Sequence, residues 1–433
     1  MIDLDDLRAR PKDYQKAAKN KGIDVSIDGF LTLDARRREI TKRVEEGRAR
    51  KNSVSKRIPT MQDAEKKVAL AEMKTLAEEL KTQEEDLKRT EDAWWEMQLM
   101  LPTIPLEGTP IGKDESGNVE IERWGDVPAF GFDPRDHVSL GEALDIIDIP
   151  RGVKVSGARS YFLKGDGARL HHAVMRFTLD QLTKRGWTLF VPPLLTFSEC
   201  LMGTGFFPGA EEQVFAIGAK KGVSAQINDD NLYLIGTSEV TVCSYHKDEV
   251  LLESELPKKY AGYSACFRRE AGTYGKDTKG LYRVHQFEKV EQVVLCQSDQ
   301  GESLKMFEEI RLNAQAVLQA LGLPYRIMNV CTGDMGKGKV VMHDIETWMP
   351  SRKAYGETHS CSYLGDFQAR RLNIRYETKD GKKKFVHTLN NTCIASPRIL
   401  IPILEIYQNK DGTVTIPEVL RPYMGGQEKI EKR

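Results

Sequence analysis

Between residues 33 and 100 the chain holds one proline, Pro59, and one glycine, Gly47, and that scarcity dictates how the first quarter can fold. With so little to interrupt a helix on either side of Pro59, apolar residues recur in steps of three and four. One track passes through Leu33, Arg37, Ile40, Val44, Gly47, Lys51, Val54 and Ile58. The other passes through Met73, Leu76, Leu80, Gln83, Leu87, Thr90, Trp94, Met97 and Leu101. Stripes of this period are buried when two helices lie seam to seam. The spacing predicts an antiparallel coiled-coil hairpin turned at Pro59-Thr60, with a reach of roughly 40–50 Å at about 1.5 Å per residue. Gly47 and Lys51 are expected to loosen the first seam.

The first predicted arm helix is lopsided in charge. Arg36, Arg37, Arg38, Lys42, Arg43, Arg48, Arg50, Lys51, Lys56 and Arg57 face only Asp34, Glu39, Glu45 and Glu46, a net +6. A solvated coiled-coil face accounts for this. So does a surface that tracks the phosphates of a folded RNA, which is read largely through backbone and shape. Over the whole chain, Lys+Arg and Asp+Glu number 64 each, so net charge says nothing about partners.

Other counts exclude classes. The seven cysteines form no CxxC pair and no HExxH occurs, which argues for reduced thiols and against zinc or a disulfide framework. His171 and His172 read as helix surface. The N-terminus is charged from Asp3 onward and no stretch approaches 18 apolar residues. A soluble cytoplasmic protein with no membrane partner is expected. At 433 residues two domains are expected, residues 1–105 and 106–433.

Residues 102–131 read as a linker and an entry strand, and the pattern then turns mixed. Helices are expected at 168–185, 303–321 and 398–407. Strands are expected at 187–191, 232–235, 325–329 and 343–348. No Gly-rich turn opens a βαβ unit, so the fold class is α+β, an antiparallel sheet with flanking helices. Residues 333–339 fit GxxxxGK, but Val340 stands where a P-loop needs a hydroxyl, so they read as a loop.

Chemistry-capable groups concentrate in residues 267–291, FRREAGTYGKDTKGLYRVHQFEKVE. Short apolar stretches at 260–267 and 281–295 predict two strands joined by a polar loop. Arginines there can hold phosphate or carboxylate by paired hydrogen bonds, an aromatic ring can stack a base, and a glutamate can accept from an ammonium. Gly236-Thr237-Ser238-Glu239, Glu357-Thr358-His359-Ser360, Asn390-Asn391-Thr392 and Arg398 add carboxylates, hydroxyls, amides and a further cation. Singly, each is more often a turn or a cap; the set is harder to explain that way.

Over essentially its full length the chain resembles the bacterial seryl-tRNA synthetases. The opening MIDLDDLRARP, the arm, and the closing IPEVLRPYMGG all match in order. Residues 267–291 resemble motif 2 of the class II synthetases, the segment around 186–193 resembles motif 1 with its dimer-interface proline, and NNTCIASPRILIPILE resembles motif 3. Arg269 stands where many relatives have serine, and Pro397 where many have glycine. The resemblance implies a coiled-coil arm joined to a class II antiparallel-sheet catalytic domain. It also implies a homodimer that ligates L-serine to tRNA(Ser), with tRNA(Sec) a second candidate, using ATP and Mg2+; neither zinc nor DNA is expected.

Site residues carry over position by position. Arg268 would bridge the ATP α-phosphate and the serine carboxylate, and with Arg398 it is the expected catalytic pair. Glu270 would contact the adenine end, Phe287 would stack on adenine opposite Arg398, and Arg283 would meet the outer phosphates. Arg269, Thr358 and His359 complete the implied ATP set, and Glu357 and Ser360 would hold magnesium. Thr237, Ser238, Glu239, Glu291, Asn390 and Thr392 would form the serine pocket with Arg268. On the arm, Arg36, Arg37, Arg43 and Arg50 would meet tRNA. Two rival classes stay open: a paralogue that charges a carrier protein, which would typically lack the arm, and a non-catalytic coiled-coil RNA-binding protein.

Overall fold

A computed structural model describes residues 1–218, 232–272 and 280–432. The tip of the 267–291 hairpin, residues 273–279, lies outside the described residues. The chain divides into two compact units, Ile2–Ile104 and Pro105–Arg433 with Met1.

In the first unit, α1 (Leu4–Ala9) and α2 (Pro11–Asn20) precede α3 (Ile27–Arg57) and α4 (Asp63–Met100). Ser26 caps α3 by accepting from the Gly29 N–H at 3.0 Å, and a 3-10 turn at Ile58–Thr60 reverses the chain. The two long helices pair along the expected seams, with Ile40, Val44, Leu80, Thr90 and Leu101 buried. Asp34 is buried within α3. It accepts from Arg8 (2.8 and 3.2 Å) and Trp94 Nε1 (3.1 Å), with Arg38 at 3.3 Å, so its charge is compensated.

Gly47 does not loosen the seam. A Cβ there would stand 2.6 Å from Leu80 Cδ2, so the missing side chain is what lets Leu80 seat between the helices. Lys51 is exposed and leaves the interface. Gly47→Leu is expected to destabilise the arm by about 1–3 kcal/mol, the usual cost of overpacking. Chemical denaturation followed by helical circular dichroism checks this.

In the second unit an eight-stranded sheet carries the architecture. Its strands are β1 (Val119–Trp124), β2 (Thr188–Phe190), β3 (Lys258–Phe267), β4 (Gln286–Cys296), β5 (Tyr325–Asn329), β6 (Val341–Met349), β7 (Ala354–Tyr363) and β8 (His387–Ser396). They lie in the order β1-β5-β6-β7-β8-β4-β3-β2, and all pairs are antiparallel except the edge pair β2–β3. Two amphipathic helices, α5 (Asp166–Lys184) and α6 (Gln300–Ala320), cover one face. Phe177, Phe307 and Ile310 pack there against Val290, Val294 and Ile394.

Several sequence expectations shift. The second hairpin strand begins at Gln286, not at 281, because the preceding residues are bound into a loop. Leu281 N–H donates to His137 Nε2 (3.2 Å), and His285 N–H donates to the Arg159 carbonyl (3.2 Å). The terminal helix α7 (Leu400–Ile406) starts two residues after Arg398, which sits in the turn leading into it. His171 is not helix surface: its ring is buried and bonds Ser396 Oγ (2.7 Å) and Glu288 Oε2 (3.1 Å), while His172 is exposed. Gly333 spends its N–H on the Gly112 carbonyl, and a Cβ there would touch Lys113 O at 2.3 Å. Its segment is packed on 110–113 instead of cradling phosphate. Among the described residues no helix is long and apolar enough to cross a membrane.

Candidate active site

Strand register gathers the chemistry on one face. Side chains alternate along a strand, so Phe287, Lys289 and Glu291 of β4 point the same way. Across the ladder Glu291 pairs with Thr392, Asn390 pairs with Ser362, and Ser360 pairs with Asp344. These residues therefore share the face opposite α5 and α6. Glu357 is three residues from Ser360, which in a regular strand would put the two on opposite faces. A bulge at Thr358 restores the match: Ile345 pairs with His359 and Glu346 with Glu357, so Glu357 joins Ser360 on the open side.

At one end of this face lies a buried polar pocket. The turn 236–239 settles onto β3 at Gly262, where a Cβ would come 2.7 Å from Ser238 Oγ; that hydroxyl donates to the Gly262 carbonyl (3.1 Å). Ser238 is thus fully buried, and its hydroxyl anchors the turn. Thr237 and Glu239 stand on either side of Ser238 in the turn. Lys289 Nζ donates to Thr237 Oγ1 (2.7 Å) and to Glu291 Oε2, and Thr392 Oγ1 donates to the same carboxylate oxygen (3.3 Å). Glu239 Oε1 accepts from Gln368 Nε2 (2.8 Å) and Asn390 Nδ2 (2.9 Å). Burial, and then the Glu291 charge, raise the Glu239 carboxyl above its usual range.

Arg268, just past β3, borders the pocket. Its Nε donates to the Gly236 carbonyl (3.1 Å) and its guanidinium lies 5.2 Å from the centre of the Phe287 ring. Further along, Arg283 NH1 donates to Glu270 (3.2 Å), and Arg159 approaches the same carboxylate at 4.0 Å. Glu270 sits at φ +50°, a left-handed conformation that costs a non-glycine residue energy and marks a constrained corner. Arg398 donates to the carbonyls of Tyr282 and Glu357 (3.0 Å each) and lies 4.5 Å over the Tyr282 ring, with Arg352 at 4.3 Å from that ring. The structure thus puts Tyr282 beneath Arg398. Arg269 is exposed, and its backbone N–H donates to Gln213.

Thr358 and His359 turn inward. Thr358 Oγ1 bonds Thr347 (2.7 Å) and the Ile345 carbonyl (3.2 Å), and His359 Nδ1 bonds Thr358 (2.8 Å). Burial lowers the His359 pKa to about 3, so the ring is neutral. Glu357 and Ser360 remain on the accessible side.

Whether these oxygens suit magnesium is tested by Asp344. It is buried across from Ser360, one carboxylate oxygen has no hydrogen-bond partner among the described residues, and burial followed by the Glu357 charge holds its carboxyl well above the usual range. Two carboxylates and a hydroxyl converging with an unsatisfied oxygen are a hard-cation donor set of the kind magnesium completes with phosphate and water. Among the described residues no group of three or more His, Cys, Asp or Glu could hold a metal unaided.

Sequence reasoning missed Lys289, Gln368, Asp344, Arg159 and Gln213. The one available signal was the lysine inside FEKVE, two residues from a candidate ligand on a strand and so on the same face.

The arm arginines differ among themselves. Arg36 pairs with Asp86 (2.9 Å), Arg43 with Glu39, and Arg37 lies over Trp94 (4.3 Å) near Asp34. Among the described residues Arg50, Lys51, Lys56 and Arg57, toward the tip, have no side-chain partner.

An antiparallel sheet of this order, with an arginine ending a hairpin strand and another following the neighbouring strand, is the core of a class II aminoacyl-tRNA synthetase. The family model described as the tRNA synthetase class II core domain (G, H, P, S and T) matches residues 222–407, and that of the seryl-tRNA synthetase N-terminal domain matches residues 1–105. A serine–tRNA ligase of Deinococcus radiodurans is 47% identical over 99% of both chains, and one of Desulforamulus reducens is 47% identical over 99% of this chain and 100% of its own. The crystal structure of seryl-tRNA synthetase from Pyrococcus horikoshii complexed with ATP superposes with a TM-score of 0.89 at 34% identity over 100% of both chains. The cytoplasmic serine–tRNA ligase of Naegleria fowleri in complex with AMP gives 0.83 at 31% identity over 98% of this chain and 96% of that one. The chain belongs to the seryl-tRNA synthetases.

Proposed function

We propose that this protein activates L-serine with ATP and transfers the seryl group to the 3′-terminal adenosine of tRNA(Ser), in the cytoplasm. The observation that carries the reading is the buried polar pocket of Thr237, Glu239, Lys289, Glu291, Asn390 and Thr392 beside Arg268. It is too polar for an apolar side chain and matches an amino acid with a hydroxyl.

Glu291 takes the serine ammonium, and Arg268 bridges the serine carboxylate and the α-phosphate. A serine carboxylate oxygen attacks the α-phosphorus in line, the bond to the β-phosphate oxygen breaks, and pyrophosphate leaves. Arg268 offsets the negative charge gathering at the α-phosphoryl oxygens, so the protein's part is positioning and electrostatics. Phe287 stacks the adenine with Arg398 on its other side, and Arg398 is itself fixed by Tyr282. Glu270 meets the adenine end. Arg283 meets the outer phosphates. Glu357 and Ser360, with Asp344 behind them, would hold Mg2+; when bound it neutralises phosphate charge. In the second step the ribose hydroxyl of the terminal adenosine attacks the activated carbonyl carbon and AMP leaves.

The rival readings are less well supported. A carrier-charging paralogue has no use for the arm, and a non-catalytic RNA binder has no use for the pocket. The exposed apolar segment beyond the parallel edge strand, where Val191 is 86% and Phe197 53% accessible, supports a homodimer formed through motif 1.

The partnerless basic residues near the arm tip support tRNA contact there. Replacing Arg50, Lys51, Lys56 and Arg57 together with glutamine is expected to raise KM for tRNA at least about tenfold and to flatten its salt dependence, each lost phosphate contact lowering the slope by roughly one. Serine-dependent ATP–pyrophosphate exchange should be unchanged. Parallel aminoacylation and exchange assays at two salt concentrations check this.

A further inference from the structure

Two hydroxyls and a carboxylate in the pocket have their hydrogen-bonding polarity set before any ligand arrives. Thr237 Oγ1 accepts from Lys289 Nζ at 2.7 Å and from the Glu239 N–H at 3.2 Å. Both lone pairs are then engaged, and toward a ligand Thr237 can act only as a donor. Thr392 spends its single proton on Glu291 Oε2 (3.3 Å) and can act only as an acceptor. Glu291 receives Lys289 and Thr392 on Oε2, and Oε1 has no hydrogen-bond partner among the described residues. Glu239 is engaged by two neutral amides.

Lys289 is common to the first and third of these arrangements. It is 5% exposed, and it shares a face with Glu291 because the two are alternate residues of β4. Without it Thr237 regains a lone pair and can accept as well as donate, so a ligand no longer meets a committed donor. A buried Glu291 would also lose its counter-charge.

We propose that Lys289 is a specificity-determining positioning residue: it fixes Thr237 as a donor and, by pinning the Glu291 oxygen that takes the Thr392 proton, leaves Thr392 an acceptor, and so gives the pocket the polarity that distinguishes a hydroxylated amino acid from its deoxy analogue. This rests on the serine reading above. A site whose groups are committed in advance rejects alanine because its donor and acceptor would be left unpaired; a site free to pair internally does not.

The test uses the full-length protein and two nonhydrolysable probes, the seryl and alanyl sulfamoyl analogues of the aminoacyl adenylate, titrated calorimetrically into wild type and Lys289→Met. The expected result is about 100-fold weaker binding of the seryl analogue and only about threefold weaker binding of the alanyl one. Lys289→Gln, which keeps an N–H donor on a side chain one bond shorter, should recover part of the discrimination and serves if the methionine variant does not fold. Equal weakening of both analogues would mean a merely structural lysine and overturn the proposal. So would an unchanged seryl-to-alanyl ratio. A wild-type protein that binds neither analogue would instead overturn the serine reading itself.

Discussion

Arg268→Ala is expected to lower kcat/KM for serine-dependent ATP–pyrophosphate exchange about 10³-fold, which corresponds to about 4 kcal/mol of transition-state stabilisation. The guanidinium is held on two sides, by the Gly236 carbonyl and by the Phe287 ring, and borders the polar pocket. A cation fixed in this way needs no reorganisation as charge gathers on the α-phosphoryl oxygens, and that is where electrostatic catalysis is most effective. Arg268→Lys should recover little, because an ammonium cannot span carboxylate and phosphate with a planar fork. Thermal unfolding should change little in either variant, since the side chain is half-buried and is held by one neutral hydrogen bond and a ring contact. Steady-state exchange kinetics with a melting curve for each protein check both statements.

The second large effect is at Glu291. Its carboxylate is 1% exposed, paired with Lys289, which is 5% exposed. Glu291→Ala removes the proposed ammonium partner and strands a buried lysine at once. Removing one member of a buried pair typically costs about 3–5 kcal/mol of stability, so this variant should melt well below wild type as well as lose exchange. Glu291→Gln separates the two consequences. It keeps the shape and an acceptor oxygen for Lys289 but not the charge. Serine KM should then rise about 100-fold, equivalent to about 2.7 kcal/mol, with ATP KM nearly unchanged. Equal shifts in both KM values would contradict the assignment of Glu291 to the amino acid.

The arm was legible because its signal is local. A 3.5-residue repeat free of helix breakers has one economical solution, and Pro59 marks the reversal. Gly47 is not legible in this way: a glycine on a seam looks like a defect until Leu80 is seen to occupy the space it leaves. The hairpin is legible in outline, but the apolar pattern starts five residues before the second strand does. Leu281, Tyr282 and Val284 are as apolar and buried as strand residues, yet the Leu281 N–H is taken by His137, the Tyr282 carbonyl by Arg398 and the following His285 N–H by Arg159, all from distant parts of the chain.

The site was legible through its motifs more than its spacing. Glu357 and Ser360 share a face only because Thr358 is bulged, a feature set by the register of β6 against β7 and absent from local sequence. Asp344 and Gln368 have no motif to announce them; the fold brings the one across from Ser360 and the other to Glu239. Lys289 lay inside the recognised segment, but a lysine on a strand flanked by glutamates reads as solvated charge until the pocket closes around it.

Amino-acid-dependent ATP–pyrophosphate exchange across all twenty amino acids, followed by charging of a tRNA with a long variable arm, tests the central claim most directly. The account predicts exchange with serine alone and transfer to that tRNA. Exchange with serine but no transfer would contradict the tRNA ligase assignment and point to a carrier-charging enzyme. No exchange with any amino acid would contradict the catalytic reading altogether and leave the basic arm as the functional part.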